Sequence, residues 1–348
     1  MNDLEQQFLQ LVKIVNNLQQ RVITLEESNK SILQSNNNLS RLLSLTNLDI
    51  EYTRKNIYFE INDPRTTTND YFYPIIESSE TTIDEIVNNR KSLARFGDGE
   101  FATIAHVIRH KFQTVVDDCL AQRLTEVLNC EDDGLMIGMA DHYGNLDMYT
   151  SSSQREIRTY LTPQIRSEHL ALLKPDKKYY NAYITRPYIM YADNQTDAPA
   201  LRFKNLKRIW DKRNCIFVEG YYTRLGYGND LFDNANSIKR ILGPAENAFS
   251  QYDQILETCL QQDKDVLFLI ALGPTATVLA YDLFKAGYQA VDIGHIDMEY
   301  EWFLQGKGRR TQVKGKYNNE SREEMILYPV EDEAYLSQII ADFSTKEF

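Results

Sequence analysis

Two carboxylates stand two residues apart, Asp98 and Glu100, in the run ARFGDGEF (94–101), with glycines on both sides of the aspartate. In an extended or turn backbone residues i and i+2 point the same way, so the pair can share one face. Hard oxygen ligands with room given by glycine suit Mg2+ or Mn2+ bridged to a diphosphate. A second group of ionisable residues lies in GHIDMEYEW (294–302), where His295, Asp297, Glu299 and Glu301 alternate with bulky apolar neighbours. Such groups at the end of a buried strand are costly unless they are paired or bind a metal. His295 is therefore a candidate third metal ligand, and one of the carboxylates a candidate general base for an acceptor hydroxyl.

Two further segments offer phosphate and ligand contacts. Gly273-Pro274-Thr275-Ala276-Thr277 follows a strand-like run and opens a helix-like one. Amides at such a helix start, with the two threonine hydroxyls, can hold a phosphate. The loop EGYYTRLGYGND (219–230) gathers Glu219, Arg224, Asn229 and Asp230 at a strand end, the edge where open α/β sheets bind ligands. Lys307, Arg309, Arg310, Lys314 and Lys316 fall in a stretch with no acidic residue from Trp302 to Asn319, which reads as a mobile basic flap or a solvated hairpin. Neither G-x-G-x-x-G nor the P-loop pattern occurs, and His106 and His110 lack the glutamate that H-E-x-x-H requires.

These groups need a scaffold. The continuous apolar run 265–272, a helix from Val278 to Lys285 and a strand at 288–293 make a β-α-β unit with a buried parallel sheet. Cys215 to Val218 reads as a second strand, with a helix expected from Leu231 to Leu242 before Gly243-Pro244. Thr82-Ile83-Asp84-Glu85 has capping-box form and should open a short helix. Residues 2–48 lack Gly and Pro and carry heptads: Leu4, Leu11, Leu18, Leu25, Ile32 and Leu39 at d, with Phe8, Val15, Val22, Asn29, Asn36 and Leu43 at a. That pattern predicts a parallel two-stranded coiled coil, hence a homodimer through residues 4–43. The boundaries read as 1–50 coiled coil, 51–80 linker or capping segment, and 81–348 globular domain.

With 50 acidic against 38 basic residues the net charge is −12, which disfavours a nucleic-acid binder. No apolar run approaches the ~20 residues needed to span a bilayer, and the start lacks a signal-peptide pattern. Cys119, Cys130, Cys215 and Cys259 form no CxxC pair, so a cytoplasmic protein with reduced cysteines is expected.

Taken together, ARFGDGEF, FVEGYYTRLGYGNDLFDNANSIKRILGP and LIALGPTATVLAYDLFKAGYQAVDIGHIDMEYEWF resemble the bacterial GT-D fold glycosyltransferases, over about residues 81–320. That family was first catalogued as a domain of unknown function and has a member acting in serine-rich adhesin glycosylation. The resemblance implies an α/β, Rossmann-like domain behind the long N-terminal helix, using a nucleotide-sugar donor, typically a UDP-sugar, and a glycan or glycoprotein acceptor at the cell surface. It implies Mn2+ or Mg2+ at a D-x-E motif matched by Asp98 and Glu100, with a further metal or diphosphate contact from His295. Glu301 is the preferred catalytic carboxylate and Asp297 the second, while Arg95, Gly97, Arg224, Asn229, Asp230, Gly273, Thr275 and Thr277 are expected around the nucleotide. The alternatives are a non-catalytic coiled-coil scaffold of a glycosylation complex and a metal-dependent nucleotide phosphohydrolase.

Overall fold

In a computed structural model, residues 3–61, 73–108, 112–318, 320–321 and 323–344 are described. The strands among them are β1 (Ile75–Ile76), β2 (Ser92–Phe96), β3 (Leu135–Met139), β4 (Lys178–Asn181), β5 (Asn214–Gly220), β6 (Ser237–Gly243), β7 (Leu267–Ala271), β8 (Gln289–Asp292) and β9 (Ile339–Asp342). They form one parallel sheet in the order β1-β4-β3-β2-β8-β7-β5-β6-β9. The apolar runs read as strands are β5, β7 and β8. β3, β7 and β8 are buried along their full length, as expected when helices cover both faces of a parallel sheet. Leu93, Met136, Phe217, Leu269 and Val291 on the sheet pack with Trp210 and Trp302 in the main core. Both indoles find carbonyls, Leu231 O at 3.0 Å and Thr311 O at 2.9 Å, so neither N–H is buried unpaired.

The sheet is joined unevenly. β5 and β6 run in register from Asn214 opposite Ser237 to Gly220 opposite Gly243. Between β2 and β8 the ladder is the single pair Leu93 opposite Val291, and side chains complete the joint. Ser92 Oγ accepts the Ala290 N–H at 3.0 Å, and Arg95 donates to the Asp292 carbonyl at 2.9 Å.

Two local expectations are corrected. Residues 231–242 do not form a helix: turns lead into β6, where Arg240 ion-pairs with buried Glu219 of β5, a long-range partner that local propensity cannot register. The helix expected from the capping box instead begins at Ser79, with Ser78 as N-cap accepting from the Thr81 N–H at 3.0 Å. The 294–302 block, which follows β8 as expected, forms the helix Ile296–Leu304 after Gly294.

The N-terminal segment is one helix, Asp3–Ile61, of 59 residues, and continues past the break expected at Glu51. Its apolar heptad residues from Phe8 to Leu43 are open to solvent in the single chain, among them Leu18 at 51% and Leu25 at 67%. Positions 62–72 of the expected linker, and His110, lie outside the described residues. No described helix is long and apolar enough to cross a membrane.

Candidate functional site

The carboxyl ends of β2, β3, β7 and β8 open on a cavity of about 400 Å3, in the size range of small-ligand sites and on the edge where such sheets bind ligands. Arg95, Gly97, Asp98, Glu100, Gly273, His295 and Asp297 all line it, so the structure brings these sequence-selected residues together.

Asp98 and Glu100 sit in the first turn of the helix Asp98–Ile104, directly after β2. The chain is helical here, so the shared face expected of an extended backbone does not arise, though both residues reach the cavity. Glu100 Oε2 accepts the Gly97 N–H at 2.7 Å and so caps its own helix. Burial, then the nearby charge of Asp292, pushes the Glu100 carboxyl up to about 7.

Arg95 is fully engaged with protein. It donates to Asp292 Oδ1 at 2.6 Å and Thr185 Oγ1 at 2.8 Å, besides the Asp292 carbonyl. Gly294, at φ 43°, makes this possible, because a Cβ there would lie 2.0 Å from Arg95 Nη2. Gly273, at φ 56°, likewise leaves room for Phe112, whose Cβ a side chain would meet at 2.5 Å.

Sequence reasoning named His295 and Arg310 but missed Arg186 and the acidic residues that gather all three. Glu320 receives both arms of Arg186, at 2.8 and 2.5 Å, with Arg310 Nε at 3.2 Å and His295 Nε2 at 3.6 Å. Burial alone would raise the Glu320 carboxyl, but Arg186, His295 and Arg310 together hold it well below the usual range. Arg310 also reaches Glu156 at 2.8 Å, and all five residues line the cavity. The only sequence signal for Arg186 was its position just past a strand end. The basic stretch 307–316 is not a flap of free cations, since Arg310 and Lys316 have acidic partners.

Lys316 is buried and donates to Asp297 Oδ2 at 2.6 Å and Glu301 Oε1 at 2.9 Å. Asn229 bridges the same two carboxylates, at 2.9 and 2.7 Å, and the Gly226 N–H donates to Asp297 at 2.8 Å. Asp297 and Glu301 share a helix face four residues apart, and of the two Asp297 lines the cavity. Glu299 turns elsewhere and accepts the Tyr188 and Ile189 N–H groups at 3.1 and 3.0 Å.

Four other expected nucleotide contacts face the protein instead. Arg224 is buried and donates to the carbonyls of Gly315 and Tyr328. Asp230 pairs with Lys207 at 3.2 Å and accepts the Tyr300 hydroxyl at 2.7 Å. Thr277 Oγ1 donates to the Arg95 carbonyl at 2.8 Å, tying its helix to β2, and Thr275 is buried outside the cavity lining.

Among the described residues no group of three His, Cys, Asp or Glu side chains is set to hold a metal ion, and His295 Nε2 lies 3.6 Å from Glu320 Oε1. Two carboxylates still match the habit of Mg2+ and Mn2+, which take one or two protein oxygens and complete their shell with phosphate and water.

Residues 93–321 match the profile of the family described as Glycosyltransferase GT-D fold. The chain is 36% identical over 268 residues to the probable glycosyl transferase Gly of Streptococcus gordonii, covering 77% of this chain and 38% of that one. It is 34% identical to glycosyltransferase GlyD of Streptococcus pneumoniae serotype 4, covering 76% and 32%. It thus spans about a third of the length of the curated relatives it matches. Among solved structures it is similar to one described as a new glycosyltransferase (DUF1792) from Streptococcus sanguinis, at TM-score 0.71 and 35% identity, covering 78% of this chain and 100% of that one. A second, described as a domain of unknown function with a distinct glycosyltransferase fold, has TM-score 0.71 at 33% identity and covers 78% and 96%.

Proposed function

The chain belongs to the glycosyltransferases of the GT-D fold, and from that premise we propose that it transfers a sugar from a UDP-sugar to a hydroxyl of a glycan or glycoprotein acceptor, with Mn2+ or Mg2+ at the diphosphate. The observation that carries this reading is one cavity holding a carboxylate pair, Asp98 and Glu100, together with Arg186, Arg310 and His295. Carboxylates of that kind hold a divalent cation, and arginine forks match phosphate oxygens. A cation bound there supplies positive charge where negative charge develops on the leaving diphosphate. Arg186 and Arg310 orient the diphosphate, exchanging part of their bonding to Glu320 for it. Asp297 is the carboxylate of its block offered to the acceptor hydroxyl, and Lys316 with Asn229 fixes its orientation.

The test is UDP release from a panel of UDP-sugars with and without Mn2+, for the wild type and Asp98→Asn. Metal-dependent release from one sugar, lost in the variant, is expected. Failure of every donor, with no calorimetric binding of UDP and Mn2+, would sink the reading.

We also infer that two chains pair through residues 4–43. The support is the heptad series, whose Leu and Val residues leave the single chain with an exposed apolar stripe.

A further inference from the structure

Part of the cavity wall carries no charge. His142, Tyr160 and Tyr183 line it, from the loop after β3, the end of the helix Ser151–Tyr160 and the turn Ala182–Thr185. His142 is buried, with Nδ1 at 3.1 Å from the Tyr183 hydroxyl. Its ring is fixed by edge-on contacts with Tyr143, at 4.7 Å and 71°, and Tyr183, at 6.1 Å and 80°. Nε2 is buried as well and has no hydrogen-bond partner among the described residues. Buried polar atoms are normally paired, so an unpaired one on a cavity-lining side chain points to a partner that the protein does not itself supply.

The chemistry of that partner follows from the ring. Burial, and secondarily the charge of Arg158, holds the imidazole down to about 3, so it is neutral wherever the protein works. A neutral imidazole offers one N–H or one lone pair at Nε2, depending on tautomer. A diphosphate calls for charged donors, which Arg186 and Arg310 supply elsewhere in the same cavity. A hydroxyl both donates and accepts, so it meets either tautomer. Flanking tyrosine rings suit the apolar C–H faces of a sugar.

We propose that His142, anchored by Tyr183, is a specificity-determining contact that receives a sugar hydroxyl at Nε2. This deepens the transferase reading and rests on it. The hydroxyl belongs to the donor sugar or to the acceptor sugar, and the experiment separates the two.

Calorimetry on the full chain with Mn2+ compares UDP, UDP-glucose, UDP-galactose and UDP-N-acetylglucosamine, for wild type, His142→Phe and His142→Gln, with melting curves as the fold control. A donor contact predicts that His142→Phe loses about tenfold of the preferred UDP-sugar's affinity while UDP affinity is unchanged, as for loss of one buried hydrogen bond. An acceptor contact predicts intact donor affinities and a roughly tenfold higher KM for methyl glycosides supplied as acceptors. In either case His142→Gln, which keeps a hydrogen-bonding group, recovers part of the loss. Tyr183→Phe, which removes only the anchor, serves if His142→Phe does not fold and should shift the same quantity by less. A folded His142→Phe that changes neither quantity, or weakens UDP and UDP-sugars equally, overturns the proposal. A wild type that binds no UDP at all overturns the donor reading itself, and is seen before any variant is made.

Discussion

Lys316 is the residue whose loss should be felt most. Its ammonium is the buried counter-charge of Asp297 and Glu301, and removing one partner of a buried pair leaves uncompensated charge. Lys316→Met should therefore destabilise the domain by about 3 kcal/mol, read from urea unfolding; a change under about 1 kcal/mol would show that the two carboxylates re-pair or hydrate. His142 gives a pH signature. Its folded value, about 3, lies below the ordinary 6.5, so the unfolded chain takes up a proton first as pH falls. The group's contribution to stability is complete above 6.5 and is lost between 6.5 and about 3. Relative to His142→Phe, the wild type should lose up to about 1.4 kcal/mol per pH unit in that window; parallel melting curves for the two proteins would contradict the burial. At this scale the sequence was legible where chemistry is written locally. Asp98, Glu100, His295 and Asp297 sit within short runs and do reach one cavity. Arg186 and Glu320 were not legible, because each acquires its meaning from a partner 134 residues away. Arg224 misled for the same reason: its polar loop suggested a ligand, whereas its partners are carbonyls of a later segment.

Elements were legible in proportion to how one-sided their environment is. β7 is apolar on both faces and announced itself as a strand, while Ser237–Gly243 mixes Lys239 and Arg240 with isoleucines and is fixed by its neighbours in the sheet. The 294–302 block alternates ionisable and apolar residues, and after Gly294 it folds as a helix. The segment from Gly315 to Tyr328 is held at both its ends by one side chain, Arg224. Arg224→Ala should leave that segment loose and accelerate cleavage by trypsin between residues 307 and 328, as gel bands over time would reveal. An unchanged digestion rate would mean that Lys316 and its carboxylates suffice to hold the segment.

For the whole molecule, the heptads foretold a long helix but not its continuation to Ile61, because the residues beyond Leu43 break the seven-residue spacing without breaking the helix. Glutamate in place of both Leu18 and Leu25 puts charge in the centre of the paired seam. The wild type should scatter light as twice 40.5 kDa and the double variant as a single chain; a wild type already at one chain mass would remove the dimer. The globular part has its own division. Four strands, β1, β4, β3 and β2, lie to one side of the thin β2–β8 ladder, and five lie to the other. Ser92, Arg95 and Gln289, whose Nε2 reaches the Ile86 carbonyl at 2.8 Å, bond across that joint, and the helix Pro274–Lys285 packs on both β2 and β8. Arg95 and Asp292 at that joint are also floor of the cavity. A change at Arg95 would therefore be felt twice, in the seating of β2 against β8 and in the floor of the cavity.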